Sequence, residues 1–561
     1  MKPIGSILII VLVGCASKPT PVVPESALSP VTAPAVPELA AMAKGAMLFD
    51  DLGTHERTVK TANPEAQRYF DQGLRLLYGF NHDEAARSFA QAATLDPDCA
   101  MCLWGVAYAL GPNYNAPMLP DRFGVAWIAL GKARAAAAKA PAVERALIGA
   151  LATRYRGPQP HGPDVQRPLN IAYAEAMRDV AKQFPLDDDV QVLAAEALMD
   201  VDPWKLWSKA GTPAPGTEEI VATLEAVLAR NPDHPGANHY YIHAIEASPR
   251  PELGLPAAKR LPSLMPAAGH TVHMPAHIYQ RVGMYAEASA ANRAAIEADR
   301  AYLAKTKPPG YYPMYIGHNY GFLAYSAAME GRSVESLEAA RASAKAIPPE
   351  MLGMMPGMDF FASEPLLVMV RFGKWDELLA EPRPEVRYNA MTGLWLHAHG
   401  MALASTGRID DARADLAALR ALIGSVPAKE QASNNPTTAL LEVGAKALEA
   451  RIAEARKDPQ ALSLWAAAVA LEDDLAYAEP ADWFYPLRHF QGAALLAASL
   501  PKEAEAVYRA DLVIHPHNGW ALSGLAQALR AQKRTIDAEK VEQELEQVWS
   551  RADIKPLRTA F

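Results

Sequence analysis

Charge of one sign, cysteine and long apolar runs are all scarce in this chain, and each scarcity closes a line of explanation. Its 54 basic and 63 acidic residues leave a net charge of −9 over 561 residues. No basic run or patch gathers them, so nothing suggests nucleic acid as a partner. Past the first dozen residues no apolar stretch is long and uncharged enough to cross a bilayer. Cysteine is confined to Cys15, Cys99 and Cys102. No glycine-rich phosphate loop follows a strand and no Gly-x-Ser-x-Gly elbow occurs, so nucleotide chemistry and serine hydrolysis find no support. The His-Glu-x-x-His of zinc proteases is missing as well, because Tyr240 follows His239.

What is present begins with a leader. Met1-Lys2 precedes an apolar run, Ile7 to Leu12, that ends in Leu12-Val13-Gly14-Cys15. A basic start, a short apolar middle and a small-residue cut site describe a secretory signal. The last four residues resemble the lipobox of bacterial lipoproteins. That resemblance implies cleavage before Cys15, acylation of Cys15 and a lipid anchor in the membrane. Ala16, where Asp would retain the protein at the inner membrane, favours the periplasmic face of the outer membrane. An uncleaved anchor and an ordinary signal peptide are the alternatives. Residues 16–45 are rich in Pro and Ala, with closely spaced prolines between Lys18 and Pro34, and read as an extended tether.

The body reads as helix pairs. In residues 66–99, Tyr69, Gly73, Leu76, Ala85, Phe89, Ala92 and Pro97 stand where the tetratricopeptide repeat has its small and apolar positions. Gly400, Leu403, Ala412 and Leu416 form another unit, and Gly492, Leu495, Ala504, Tyr508 and Pro516 a third. The chain therefore resembles a tetratricopeptide protein: an all-α solenoid of antiparallel helix pairs with irregular loop insertions. Residues 46–345 make an N-terminal solenoid and 346–561 a C-terminal one. Interruptions rich in Pro or Gly at 112–120, 157–168, 203–215, 307–313 and 348–356 read as functional loops or lids, or as exposed linkers.

Seven of the fifteen histidines fall between positions 234 and 318, and His239 and His243 recur as His273 and His277 with the 34-residue period. Aligning Gly283 and Ala288 with Gly407 and Ala412 sets His270, His273 and His277 on the first helix of one unit. His239, His243 and Glu246 then fall on the first helix of the unit before, and His318 on that of the next. In the tetratricopeptide family those positions line the concave groove. Residues three or four apart share a helix face, and packed helices lie about 8–10 Å apart, so among His239, His243, His270, His273, His277 and His318 a three- or four-ligand site for one ion, or two ions side by side, is geometrically allowed. Glu246 is a candidate ligand, orienting partner or general base. All-nitrogen ligands suit Zn, Cu or Fe alike. A polar groove for a peptide or ligand, and plain packing, are competing readings. The methionines from Met351 to Met358 either offer thioethers to Cu(I) or serve as flexible packing.

Cys99 and Cys102 read as a small local disulfide at a helix start. Leu103 stands where a haem-attachment motif has His, and no βαβ pattern surrounds the pair. Of the remaining histidines, His82, His515 and His517 read as turn residues, and His397, His399 and His489 as isolated in other units. The His-rich segments and Asn518-Gly-Trp-Ala-Leu look like a group of large bacterial tetratricopeptide proteins. That resemblance implies binding of an envelope protein or peptide in the groove, although the Lys and Asn of the carboxylate-clamp type are missing. Two expectations follow: a lipid-anchored periplasmic protein holding a transition metal for metal handling or catalysis, or a metal-free scaffold for envelope assembly.

Overall fold

The computed structural model describes residues 39–308, 312–348, 352, 357–554 and 559–561. Cys15, the leader 1–15 and most of the tether lie outside them, as do Met351, Met354 and Met355. Packing begins at Leu39–Met42, a short helix set against His82–Leu95, and Ala43 is already buried.

Helix follows helix from Pro64 to Val548, and successive helices pack against one another in antiparallel pairs, an all-α array of tetratricopeptide type. Polar side chains start many of them. The Asn63 side chain accepts from the amides of Glu65 and Ala66, Asn81 from Glu84, Asp187 from Val190 and Asn518 from Ala521, each satisfying an amide the helix itself leaves unpaired. Between paired helices the chain turns through a left-handed residue, Gly283 (φ 78°) and Gly407 (φ 85°) in two of the units. Glycine adopts that conformation without a Cβ penalty. The described strands are a two-residue antiparallel pair, Gln431–Ala432 with Asn435–Pro436. Among the described residues no helix is long and apolar enough to cross a membrane.

Close approach of the helices explains the repeat signature. The Phe89 ring lies between Gly73 and Gly105, so that a Cβ at either would come within 2.7 or 2.4 Å of it. Tyr508 sits in the same way between Gly492 and Gly524, at 2.4 and 2.1 Å. An aromatic wedge on the second helix is thus received by glycines on the first helices before and after it. Burial of such a ring stabilises the pair by about 1.5–3 kcal/mol.

The array folds back on itself. The Trp520 indole N–H donates to the Ala328 carbonyl at 2.8 Å and that of Trp549 to the Met329 carbonyl at 3.0 Å. Arg551 pairs with Glu330 at 2.6 Å, and Asp553 accepts from the amides of Ser333 and Val334. The last repeats are therefore bound to the end of the Pro313–Met329 helix and the turn after it.

The open histidine-lined groove expected from the register is corrected: its positions are filled. His239, His243, His270, His273 and His277 are each no more than 1% exposed. Two of the long insertions provide part of the cover. Tyr114 in the first is 3% exposed and stacks on Trp204 of another, 5.4 Å away. That second loop is pinned by Trp207, whose indole N–H donates to the Ala244 carbonyl at 2.7 Å. Aromatic loops pack onto an apolar-and-imidazole face because a bare trough would leave both unpartnered.

Gly524→Ala is expected to lower stability by about 1–3 kcal/mol through crowding of Tyr508. Gly131→Ala, on an exposed helix face with nothing within 4 Å of the new methyl, is expected to raise it by up to about 1 kcal/mol. Urea midpoints of the two variants check the pair.

Candidate functional site

Four helices deliver the histidines. Pro235–Ile245 carries His239 and His243 and ends at Glu246; Gly269–His273 carries His270 and His273. Pro275–Arg281 carries His277, and Pro313–Met329 carries His318. Pro275, which has no N–H to give the preceding turn, separates the second helix from the third at Met274. His239 and His243, like His273 and His277, lie one turn apart on a shared face. All six expected imidazoles come together. His239, His243 and His270 each place a ring nitrogen within 4.8 Å of the others', and His273, His277 and His318 do the same. His318 is the one partly exposed member.

Their hydrogen bonds fix which nitrogen is free. His239 Nδ1 lies 2.5 Å from the Tyr78 carbonyl oxygen, and His243 Nδ1 lies 2.9 Å from Glu246 Oε1. His277 Nδ1 bonds the other oxygen, Glu246 Oε2. His273 Nδ1 is 2.7 Å from Asn292 Oδ1, whose amide orientation is set because its nitrogen donates to the Ala288 carbonyl at 2.8 Å. Each of these partners only accepts, so all four Nδ1 atoms carry a proton, and wherever the ring is neutral its Nε2 presents a lone pair. The Nε2 atoms of His239 and His243 are buried without a hydrogen-bond partner, and both nitrogens of His270 are likewise unpaired. His273 and His277 point Nε2 at Nε2 across 2.9 Å. Two lone pairs at that distance repel unless a proton or a cation lies between them.

The surroundings are apolar. Phe80 sits 4.5 Å from the His239 ring and stacks on His243 and His270 at 5.7 and 5.6 Å. Phe322 holds the matching place beside His273, His277 and His318 at 4.5, 4.6 and 4.9 Å. Burial pushes the pKa of His239, His270 and His273 well below the ordinary range and lowers that of His243, so these rings are neutral near pH 7. His318 is pushed down to about 3, by burial first and then by neighbouring imidazoles. Burial drives the Glu246 carboxyl the other way, but the imidazoles of His277 and His243 outweigh it and hold the acid at about 2. The result is one buried carboxylate bonded to two imidazoles, with a set of bare ring nitrogens beyond. Both Glu246 oxygens accept from imidazole N–H groups, and the same carboxylate forms with His243 and His277 a third close group of ligand atoms.

Some neighbours carried no sequence signal. Asn292 lies in the helix behind the site, and Phe80 in a turn far upstream. On the Glu246 side, Arg281 follows His277 by one turn and lies over the Tyr477 ring at 5.5 Å, and the Tyr477 hydroxyl donates to Glu479 at 2.5 Å. Residues from the C-terminal half thus flank the histidines, which no local pattern reveals. A separate cluster joins His55, Asp189 and His234. Asp189 Oδ1 accepts from His55, His234 and the Tyr78 hydroxyl at 2.9, 3.2 and 2.6 Å, and Oδ2 from Arg57 at 3.1 Å. His234 Nδ1 accepts from the Ala237 amide. Both Asp189 oxygens and the His234 Nδ1 thus have donors, which marks a structural knot rather than a site. His397 bonds Gly444 and Tyr485, His399 bonds Asp415, and His489 bonds Asp511. Cys99 and Cys102 are joined in a disulfide at the start of Ala100–Ala109.

No protein-family model matches the chain, and no curated protein does. Solved structures similar to it include the human IFIT1 dimer with m7Gppp-AAAA, at 11% identity over 87% of this chain and 91% of that one, TM-score 0.32. Yeast Tom70 gives 11% identity over 88% and 91%, TM-score 0.30. The P58(IPK) TPR domain gives 13% over 84% and 99%, TM-score 0.22.

Glu246→Gln tests the hydrogen-bond assignment without any metal. An amide has one oxygen to offer two imidazole N–H groups, so in excess chelator the variant is expected to lose about 1–3 kcal/mol. Denaturant unfolding measures it, and an unchanged midpoint would contradict the shared carboxylate.

Proposed function

We propose that this helical-repeat protein binds a transition metal through His239, His243, His273 and His277, with His270 and His318 completing the ligands. The observation that carries the reading is the pair of buried, unpartnered Nε2 atoms of His239 and His243, each aimed by an acceptor behind its ring, beside the Nε2–Nε2 contact of His273 and His277. An imidazole whose Nδ1–H is held by a carboxylate or carbonyl is the usual state of a metal-binding histidine. Buried His82 and His489 each leave one nitrogen unpaired as well, but singly, whereas here unpaired nitrogens of three rings gather within 4.8 Å of one another. Neutral nitrogen donors in this number suit Zn, Cu or Fe. An ion held by one set of three of these nitrogens keeps a coordination position open, which serves either metal handling or a reaction in which the ion acts as Lewis acid or redox centre. We place the protein at the periplasmic face of the outer membrane, held through Cys15, because the leader ends in a lipobox-like sequence.

A second reading rests on the repeat architecture: a metal-free scaffold gripping an envelope protein or peptide. The tetratricopeptide-type fold suits protein–protein contact, although a fold of this kind serves many functions. The burial of the imidazoles removes them from any such contact surface.

Elemental analysis of untagged protein, purified from periplasm without chelator, is expected to find near-stoichiometric Zn, Cu or Fe. No bound metal, even after titration with each ion, would leave the scaffold reading. In the double variant His243→Ala with His277→Ala, metal is expected to be lost while the helical circular dichroism persists. Full metal content in that variant would overturn the ligand assignment.

A further inference from the structure

We infer that the histidines form two metal sites rather than one, His239–His243–His270 and His273–His277–His318, coupled through Glu246. This rests on the metal reading above and adds its stoichiometry and internal organisation.

The six imidazoles do not converge on a point. Each set of three brings its ligand atoms within 4.8 Å of one another, and the groups of ligand atoms this close include none that mixes the two sets except through Glu246. At a metal–nitrogen distance of about 2.1 Å a single ion reaches only one such set. Each set also shows its own unsatisfied chemistry. In the first, His239 and His243 have bare Nε2 atoms and His270 has no partner at either nitrogen. In the second, the Nε2 atoms of His273 and His277 face each other at 2.9 Å, close enough to require a shared proton or a shared cation between them. Each set has one phenylalanine against all three of its rings, Phe80 for the first and Phe322 for the second. The chain thus repeats the same assembly in adjacent units, as the 34-residue recurrence of His239 and His243 at His273 and His277 requires.

Glu246 is the element the two have in common. It accepts from His243 of the first set and from His277 of the second, so it orients one ligand of each ion and supplies negative charge to both. An ion in either site draws electron density from its imidazole and strengthens that ring's N–H bond to the same carboxylate, which ties the two occupancies together.

Co(II) titration of the chelator-treated, full-length protein, followed by its visible absorption and by electron paramagnetic resonance, tests this. Two equivalents are expected, with the resonance of the first weakened by magnetic coupling when the second is added. His239→Gln with His270→Gln, and separately His273→Gln with His318→Gln, are each expected to bind one equivalent, with helical circular dichroism retained. In Glu246→Gln the two equivalents are expected to bind at least tenfold more weakly. Saturation of the unaltered protein at one equivalent, or complete loss of binding in both folded double variants, would overturn the two-site inference and leave a single site standing. Binding of none would overturn the metal reading with it. Should the double variants fail to fold, the stoichiometry and coupling in the unaltered protein decide the question.

Discussion

The carboxylate of Glu246, shared between an imidazole of the Pro235–Ile245 helix and one of the Pro275–Arg281 helix, is the constraint from which the site's organisation follows. It sits where one helix ends, so a backbone terminus and two rings are fixed by the same group. With the Tyr78 carbonyl and Asn292 it decides that protons lie on Nδ1 and lone pairs on Nε2. Burial does the rest. A buried, aromatic-lined interior keeps the rings of His239, His243, His270 and His273 neutral. The chemistry of the cluster is therefore set less by the histidines than by what stands behind them.

Holding that arrangement takes contacts from well outside the two units that carry it. Phe80 and the Tyr78 carbonyl come from the first described helix pair, Tyr114 and Trp204 from two insertions, and Tyr477, under the Arg281 guanidinium, from the C-terminal half. Trp207, bonded to the Ala244 carbonyl, ties one insertion directly to the helix bearing His239 and His243. A face that a regular repeat leaves open for a partner is here closed by the chain's own residues.

The parts of this that a sequence displays are the periodic ones. Gly73, Phe89, Gly492 and Tyr508 were readable as repeat positions because the wedge-and-glycine contact recurs at fixed spacing, and His239, His243, His273 and His277 because they keep the same step. The register also placed His270 and His318 correctly beside them. What it missed is aperiodic. That Trp204 would turn inward over His243 depends on the path of a loop, and Asp189 gathers His55 and His234 from opposite ends of a long stretch of chain. Glu246 showed its position but not its role, since a carboxylate one turn from a histidine reads alike as ligand, base or hydrogen-bond acceptor. The groove was misjudged for the same reason: repeat register gives the direction of a side chain and says nothing of what covers it.

The indoles of Trp520 and Trp549, bonded to the carbonyls of Ala328 and Met329, bear on how such an array comes apart. A linear stack of repeats melts from its ends, because a terminal unit has one neighbour and an inner unit two. Here the last helix pair has a second neighbour, in the middle of the chain, at the foot of the helix that carries His318. Fraying from the C-terminus has to break into the interior at once. The end of the molecule that ought to be loosest is a latch, and the stability of the histidine-bearing helices and that of the final repeat rise and fall as one cooperative unit.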